Sequence, residues 1–172
     1  MVTIRAEIPS DGHAREALLT RALGASRFRK TSEKLRRGRL AALAFSAVDA
    51  QGKLVGTLRL SAILAGSAGA SSLLGPLAVD TDFQGQGIGT ALMVHALAAA
   101  RAHGFESILL VGDAPYYQRF GFAAALARNL HLPGPVDRAR FLGLELVDQA
   151  LDDAEGLVAA TGERTPDLQV AA

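Results

Sequence analysis

Residues 2 to 8 (VTIRAEI) alternate apolar and polar side chains and stop at Pro9-Ser10, the pattern of a half-buried strand. Asp11 stands at an N-cap position and Gly24 just past a helix end, which predicts a helix running through Leu23. A short helical segment opens near Thr31-Ser32, with Glu33 close to its positive end. LAFSAVDAQGKLVGTLRL predicts a hairpin, with strands at about 42 to 49 and 53 to 60 and a turn at Gln51-Gly52. The Ala/Gly/Ser stretch 62 to 72 extends the second strand and then loops.

SLLGPLAV (72 to 79) is apolar at nearly every position, so it reads as a strand covered on both faces. Gly75-Pro76 interrupts it. Proline has no N–H for a ladder, so the strand is predicted to bulge or splay there. TALMVHALAAARAHG reads as an apolar helix closed by Gly104, and SILLVGD (107 to 113) as a buried strand. APYYQRFGF forms a short helix with Asp113 at its cap and Pro115 in its first turn. Residues 123 to 139 look irregular, and RFLGLELV (140 to 147) is the last expected strand. The chain after Asp148 holds Gly156, Gly162 and Pro166 and is predicted to fray. The order is that of a mixed α/β (α+β) domain with helices on both faces of a central sheet, not a clean βαβ alternation.

The chain of 172 residues suits one domain, taken as 1 to 150, with 151 to 172 as an acidic tail. Apolar residues make up 49%, yet 33 of the residues are Ala, which bury little area each. The absence of Cys rules out disulfides and thiolate chemistry and fits a cytoplasmic setting. The opening residues lack a basic stretch followed by an apolar run, and no apolar run nears the ~20 residues of a membrane helix. Net charge is +1, which gives no field drawing the chain to nucleic acid. Locally the balance differs. Residues 27 to 39 carry seven cations against Glu33, and residues 148 to 167 carry six acids against Arg164. Only Phe28 interleaves with the cations, which argues for a solvated helix face over a nucleic-acid platform.

Gln84-Gly85-Gln86-Gly87-Ile88-Gly89 lies between a buried strand and an apolar helix. Glycines there let successive N–H groups converge, and a helix N-terminus adds unpaired donors and partial positive charge, a setting for phosphate. A plain flexible loop is the alternative. A P-loop requires Gly-Lys-Ser/Thr, but the chain has Gly89-Thr90-Ala91. A dinucleotide fingerprint requires glycine at 90, where Thr stands, and a loop that follows its strand at once, whereas DTDFQ intervenes. The pattern that Gln84, Gly87 and Gly89 do fit is Gln/Arg-x-x-Gly-x-Gly/Ala.

With LGPLAVDTDFQGQGIGTAL followed by GDAPYYQRFGF, the chain resembles the GNAT superfamily of acetyl-CoA-dependent N-acyltransferases, most of all the bacterial YhbS-type subgroup. The specific likeness covers about residues 73 to 122. It implies a sheet splayed at 72 to 79, with acetyl-CoA in the gap beside 107 to 112. Leu77, Ala78 and Val79 would pair with the pantetheine amides, and the amides of Gln84, Gly85, Gln86, Gly87, Ile88, Gly89 and Thr90 would hold the pyrophosphate. Tyr117, four residues before Gly121-Phe122, falls where the family places a general acid; Tyr116 is its packing neighbour.

Many members carry a Glu on the splayed strand as base, but SSLLGPLAV holds no ionisable group. Proton removal would pass through water, Glu33 or Asp113, and Asp113 reads better as a helix cap. The Asn frequent on the family's short helix is absent too. His13, His95, His103 and His131 share no metal-ligand spacing with carboxylates, so no metal is expected, and His95 reads as a packed or surface residue. The expected function is N-acetyl transfer from acetyl-CoA to a primary amine, small molecule or peptide, by direct attack in a ternary complex. The rival is a non-catalytic acyl-CoA sensor. The reading involves no membrane partner and allows a homodimer.

Overall fold

Asp49 builds the first hairpin. In the computed structural model, which describes residues 1 to 166, its carboxylate accepts from the Gln51 and Lys53 amides at 2.9 and 2.8 Å. Gly52 takes the positive φ of 82° that the turn demands. The turn joins β2 (Leu43–Val48) to β3 (Leu54–Ala65). β1 (Thr3–Ala6) flanks β2, and β4 (Ala70–Val79) flanks β3, all antiparallel. β5 (Ser107–Val111) then runs parallel to β4. The two-residue β6 (Leu130–His131), β7 (Phe141–Glu145) and β8 (Gly156–Ala160) follow, and the main path is β1-β2-β3-β4-β5-β7. The mixed open sheet is the one expected.

α1 (Gly12–Leu23) and α2 (Thr31–Arg36) come between β1 and β2, α3 (Ile88–His103) before β5, and α4 (Ala114–Gln118) after it. α3 buries Leu92, Met93, Ala96, Leu97 and Ala100, spaced three and four apart, against Phe45, Ala47 and Leu58. It ends at Gly104, whose φ of 96° lets Phe105 N–H reach the Ala100 carbonyl at 3.1 Å. Gly56 permits the close approach, since a Cβ there would stand 3.0 Å from Leu92 Cδ1 and 3.1 Å from Ala47 Cβ. The other face takes α1, through Leu18 and Leu19 on Leu54 and Ala78. Neighbours in sequence serve opposite faces: Leu74 and Ile108 belong to the α3 core, Leu73 and Leu109 to the other side.

The expected fraying after Asp148 is overturned for the described residues. β8 pairs antiparallel with β3 (Ile63↔Ala160 to Ala65↔Val158) and parallel with β6. Leu151 and Val158 are 3% and 1% exposed and complete the second core around Leu73, Leu109 and Phe141. Leu40 N–H donates to the Glu163 carbonyl at 2.7 Å, and Thr165 N–H to Gly38 at 2.9 Å. The domain therefore runs past 150; residues 167 to 172, the rest of the expected tail, lie outside the described residues. The irregular stretch 123 to 139 is held by Arg138, whose guanidinium donates to the carbonyls of Ala127, Arg128 and Leu130 at 2.6 to 2.9 Å.

Asp11 stands at the N-cap position of α1, but its carboxylate turns back. It accepts from the Arg5 guanidinium at 2.7 and 2.9 Å, Ile8 N–H at 3.0 Å and Ser46 Oγ at 2.8 Å, tying β1 and β2 to the start of α1. The Arg5 hydrogen bonds, more than the opposing desolvation, hold this carboxyl well below the usual carboxylate range.

Truncation after Ala150 removes the buried Leu151, Ala154 and Val158. At about 2 to 5 kcal/mol for each large buried side chain, and about 2 to 4 °C per kcal/mol in a domain of this size, the melting temperature falls by ~10 °C or more. Calorimetry checks this. A folded-state pKa lowered at Asp11 means stabilisation present above the ordinary carboxylate pKa of ~3.9 and lost as pH falls through and below it. Melting curves from pH 6 to pH 2 should thus show wild type losing more stability on acidification than Asp11→Asn.

Candidate active site

β4 and β5 pair at only two registers, Ser72↔Ile108 and Leu73↔Leu109. Buried hydroxyls lock this short contact: Ser71 Oγ lies 3.0 Å and Ser72 Oγ 3.3 Å from the Ser107 carbonyl, and both donate to it. Beyond Leu73 the strands part. On the β3 side, Leu58 pairs with Leu77 and Leu60 with Leu74, so Gly75 and Pro76 together oppose Arg59. That is the expected bulge, and the Gly75–Pro76 peptide is cis. Among the described residues the β4 edge that faced β5 has no strand partner from Leu74 to Val79, so its backbone groups lack a ladder, and the Val79 carbonyl accepts instead from Gln84 Nε2 at 3.5 Å.

Two hollows adjoin this opening. The larger, about 550 Å³, lies between β4 and β5 and is walled by Leu74 to Leu77, Val111 to Asp113, α2 and the segment 132 to 140. The smaller, about 340 Å³, runs along Leu77, Ala78 and Val79 to Gln84, Gly85, Gly87, Ile88, Gly89 and Thr90. Gln86 lines a third depression with Met1, Val2 and Asp49, which meets the smaller hollow at Phe83, Gly87 and Ile88. Tyr116 and Leu77 border both of the first two hollows.

The loop has the form the glycines suggested. Gly85 and Gly87 take φ of 77° and 80°, and Gly87 is the N-cap of α3. The amide N–H groups from Gly85 to Thr90 donate to no backbone carbonyl among the described residues, a row of unsatisfied donors at a helix start. Asp80 fixes the joint before it. Its carboxylate accepts from Asp82 N–H at 3.0 Å and meets Lys53 and Arg21 at 3.4 and 3.6 Å, and the backbone bond first, then Lys53, lowers its pKa. Arg119, which the sequence reading passed over, donates to Thr90 Oγ1 at 3.1 Å and lies over the Tyr116 ring. Its signal was its place three residues after Tyr116, just past the end of the short helix.

The spacing from Tyr117 to Gly121-Phe122 has a local cause. The Tyr117 carbonyl accepts from Phe120 and Phe122 N–H at 3.0 and 3.4 Å, a reversal that requires Gly121 at φ 96° and drives Phe122 into the core. The Tyr117 ring meets Phe122 and Tyr116 edge-on, at 5.9 and 4.9 Å between centroids. It covers Gly112, where a Cβ would come 2.4 Å from Tyr117 Cε2. Burial, then the neighbouring Tyr116, pushes the Tyr117 phenol up to about 12. Tyr117 lines the larger hollow, and the Tyr116 hydroxyl lies 3.0 Å from where a Cβ at Gly89 would be.

Asp113 caps α4 through Tyr116 N–H at 3.3 Å, the role expected of it. Glu33 lines the larger hollow and faces Arg36 at 3.5 Å. His95 is exposed, its ring edge-on to Phe45. No group of three or more metal-binding side chains occurs among the described residues. The basic stretch is not a solvated face throughout: Arg27 is only 6% exposed, reaches Glu16 at 2.5 Å, and with Lys30 and Arg36 lines the larger hollow.

The profile of the acetyltransferase (GNAT) domain matches residues 41–124. The chain is 31% identical over 156 residues to the uncharacterized N-acetyltransferase YhbS of Escherichia coli (strain K12), covering 90% of this chain and 93% of that one. It is similar to the crystal structure of the Escherichia coli GNAT family N-acetyltransferase YhbS in complex with CoA (TM-score 0.78, 30% identity, 93% of this chain and 89% of that). It is also similar to a GNAT family acetyltransferase of Brucella melitensis in complex with acetyl-CoA (TM-score 0.69, 28% identity, 94% and 96%). A splayed mixed sheet, a glycine loop at the start of α3 and relatives of this likeness over nearly the whole length agree: the chain belongs to the GNAT family of N-acetyltransferases and is an acyltransferase.

Proposed function

We propose that the protein transfers an acetyl group from acetyl-CoA to a primary amine, by direct attack within a ternary complex. The observation that carries this reading is the continuity of the opening between β4 and β5. It links a row of free loop amides, a strand edge without a ladder and the Tyr117 phenol to a hollow of about 550 Å³ that has room for a second substrate.

On this reading the amides from Gly85 to Thr90 bind the pyrophosphate of the cosubstrate, with Arg119 adding a cation at the same end. The edge from Leu77 to Val79 pairs with the pantetheine amides as an added strand would. Gln86 contributes its backbone N–H as part of the same row. The thioester carbon then lies near Tyr117. A neutral amine attacks it, the C–S bond breaks, and the departing thiolate accepts a hydrogen bond from the phenol. Because burial holds this phenol near 12 and a thiol is ordinarily near ~8.5, complete transfer from Tyr117 is uphill; the phenol stabilises developing charge while remaining protonated. The amine's proton leaves through water in the hollow. With no cysteine in the chain, a thioester-linked enzyme intermediate has no carrier.

Tyr117→Phe keeps the ring on Gly112 and removes only the hydroxyl. It should leave CoA affinity within a few-fold and lower kcat by ~10²-fold, while Tyr116→Phe changes kcat little. The Tyr117→Phe deficit should shrink with an acyl thioester whose leaving thiol is more acidic, measured by release of that thiol. An equal deficit for both thioesters assigns Tyr117 to positioning. Since the phenol stays protonated to about 12, no break in the pH–rate profile between pH 8 and pH 10 should vanish in Tyr117→Phe.

Gly87→Val forces a β-branched residue to φ 80° at the helix N-cap, with open space around its Cβ. CoA affinity by calorimetry should drop ~10-fold or more in a protein that still folds, and unchanged affinity would remove the loop from the binding site.

A further inference from the structure

The larger hollow rests on a cluster with more positive than negative charge. Arg15, Arg27, Arg36 and Arg59 meet Glu7, Glu16 and Glu33, four guanidiniums against three carboxylates. Each carboxylate is already engaged: Glu7 by Arg15 and Arg59, Glu16 by Arg15 and Arg27, Glu33 by Arg36. Arg36 and Arg59 meet their partners only at 3.5 Å and without hydrogen-bond geometry, and the buried Nε of Arg27 has no partner. Arg27 is more than nine-tenths buried and lines the hollow. Arg36 lines it too, with Nη1 3.7 Å from the Cβ position of Gly75 at the strand bulge.

The rest of the lining does not restore the balance. Lys30 and Arg140 add two cations, and Asp113 and Asp137 two carboxylates, both of which serve backbone N–H groups, of Tyr116 and Ala139 respectively. Desolvation lowers the pKa of Arg36 and Arg59, with Glu33 and Glu7 opposing it, as for cations short of counter-charge. The phosphates of a CoA on the glycine loop would sit in the loop's hollow, whose lining includes neither Arg27 nor Arg36.

We propose that the acceptor amine carries an anionic group, a carboxylate or a phosphate, that seats against the guanidiniums of Arg27 and Arg36 on the α2 wall of the hollow. This rests on the amine acetylation proposed above and narrows its substrate to amino acids and phosphorylated amines. A guanidinium fork fits either anion through two parallel N–H···O bonds. In a half-enclosed site such bonds are worth ~10- to 100-fold in affinity. The pairing also orients the substrate, holding the anion on the arginines and leaving the amine to reach the thioester beside Tyr117.

The test uses the full chain with acetyl-CoA and follows CoA release with matched acceptors: amino acids against their carboxamides, and phosphoethanolamine against ethanolamine. At least one anionic member should exceed its neutral partner by ~10-fold or more in kcat/KM, and which pair does so separates carboxylate from phosphate. In Arg36→Gln that ratio should collapse toward one through KM, and Arg36→Lys should restore part of it. Neutral partners equal to or better than the anionic ones throughout, or a ratio preserved in folded Arg36→Gln, overturns the proposal. The wild-type ratio needs no variant, so a misfolded Arg36→Gln does not blunt the test. Absence of any turnover would count against amine acetylation instead. The anion site is then read by calorimetry of N-acetylamino acids and N-acetylphosphoethanolamine, each against its uncharged counterpart, on the CoA-saturated protein. Binding of an acid but not its counterpart, lost in Arg36→Gln, supports the site; equal binding, or none of any probe, overturns it.

Discussion

Two registers of parallel pairing between β4 and β5, sealed by three buried serines, decide where the sheet stops being continuous. A longer ladder would close the gap that every part of the site adjoins; a missing one would split the core, because Leu73 and Leu109 pack on one face there and Leu74 and Ile108 on the other. The bulge at Gly75-Pro76 then adds a residue to β4 opposite Arg59. It lets one edge of the strand stay bonded to β3 while the other is released. Hydroxyl to carbonyl bonds, a proline without a donor and alternating leucines thus act on about five residues of one strand.

The elements legible in the sequence are those whose cause is local. α3 announces itself by a three- and four-residue apolar period and a terminal glycine, and the loop before it by glycines that take positive φ where they stand. The Tyr117 to Phe122 spacing is local as well, set by one reversal at Gly121. β8 was missed because what makes it a strand lies far off. GLVAA sits among Asp152, Asp153 and Glu155, whose charges face solvent and mask the buried Leu151, Ala154 and Val158; its partners Ile63 to Ala65 are nearly a hundred residues earlier.

The basic stretch failed differently. Charge counting treats Arg27 like Arg29 or Arg37, yet Arg27 turns inward to Glu16, eleven residues back on α1, and stacks on Phe28. Whether a cation is solvated or structural depends on what approaches it in space. The sequence holds that information only through the tertiary fold. Arg119 shows the same limit at the opposite end of the opening, where its meaning comes from Thr90, 29 residues earlier.

The α2 wall is fastened by distant stretches of chain. Thr31 Oγ1 donates to the Pro135 carbonyl at 2.6 Å across 104 residues, and Arg39 Nη1 to the Gly162 carbonyl at 2.7 Å across 123. The glycine loop, by contrast, rests on β4 and α3, which are neighbours in sequence. Loop-closure entropy disfavours long-range contacts until nearer ones have formed. The two halves of the opening therefore differ in the order of their assembly: the loop half matures from nearby sequence, and the α2 wall closes only once segments more than a hundred residues apart have met.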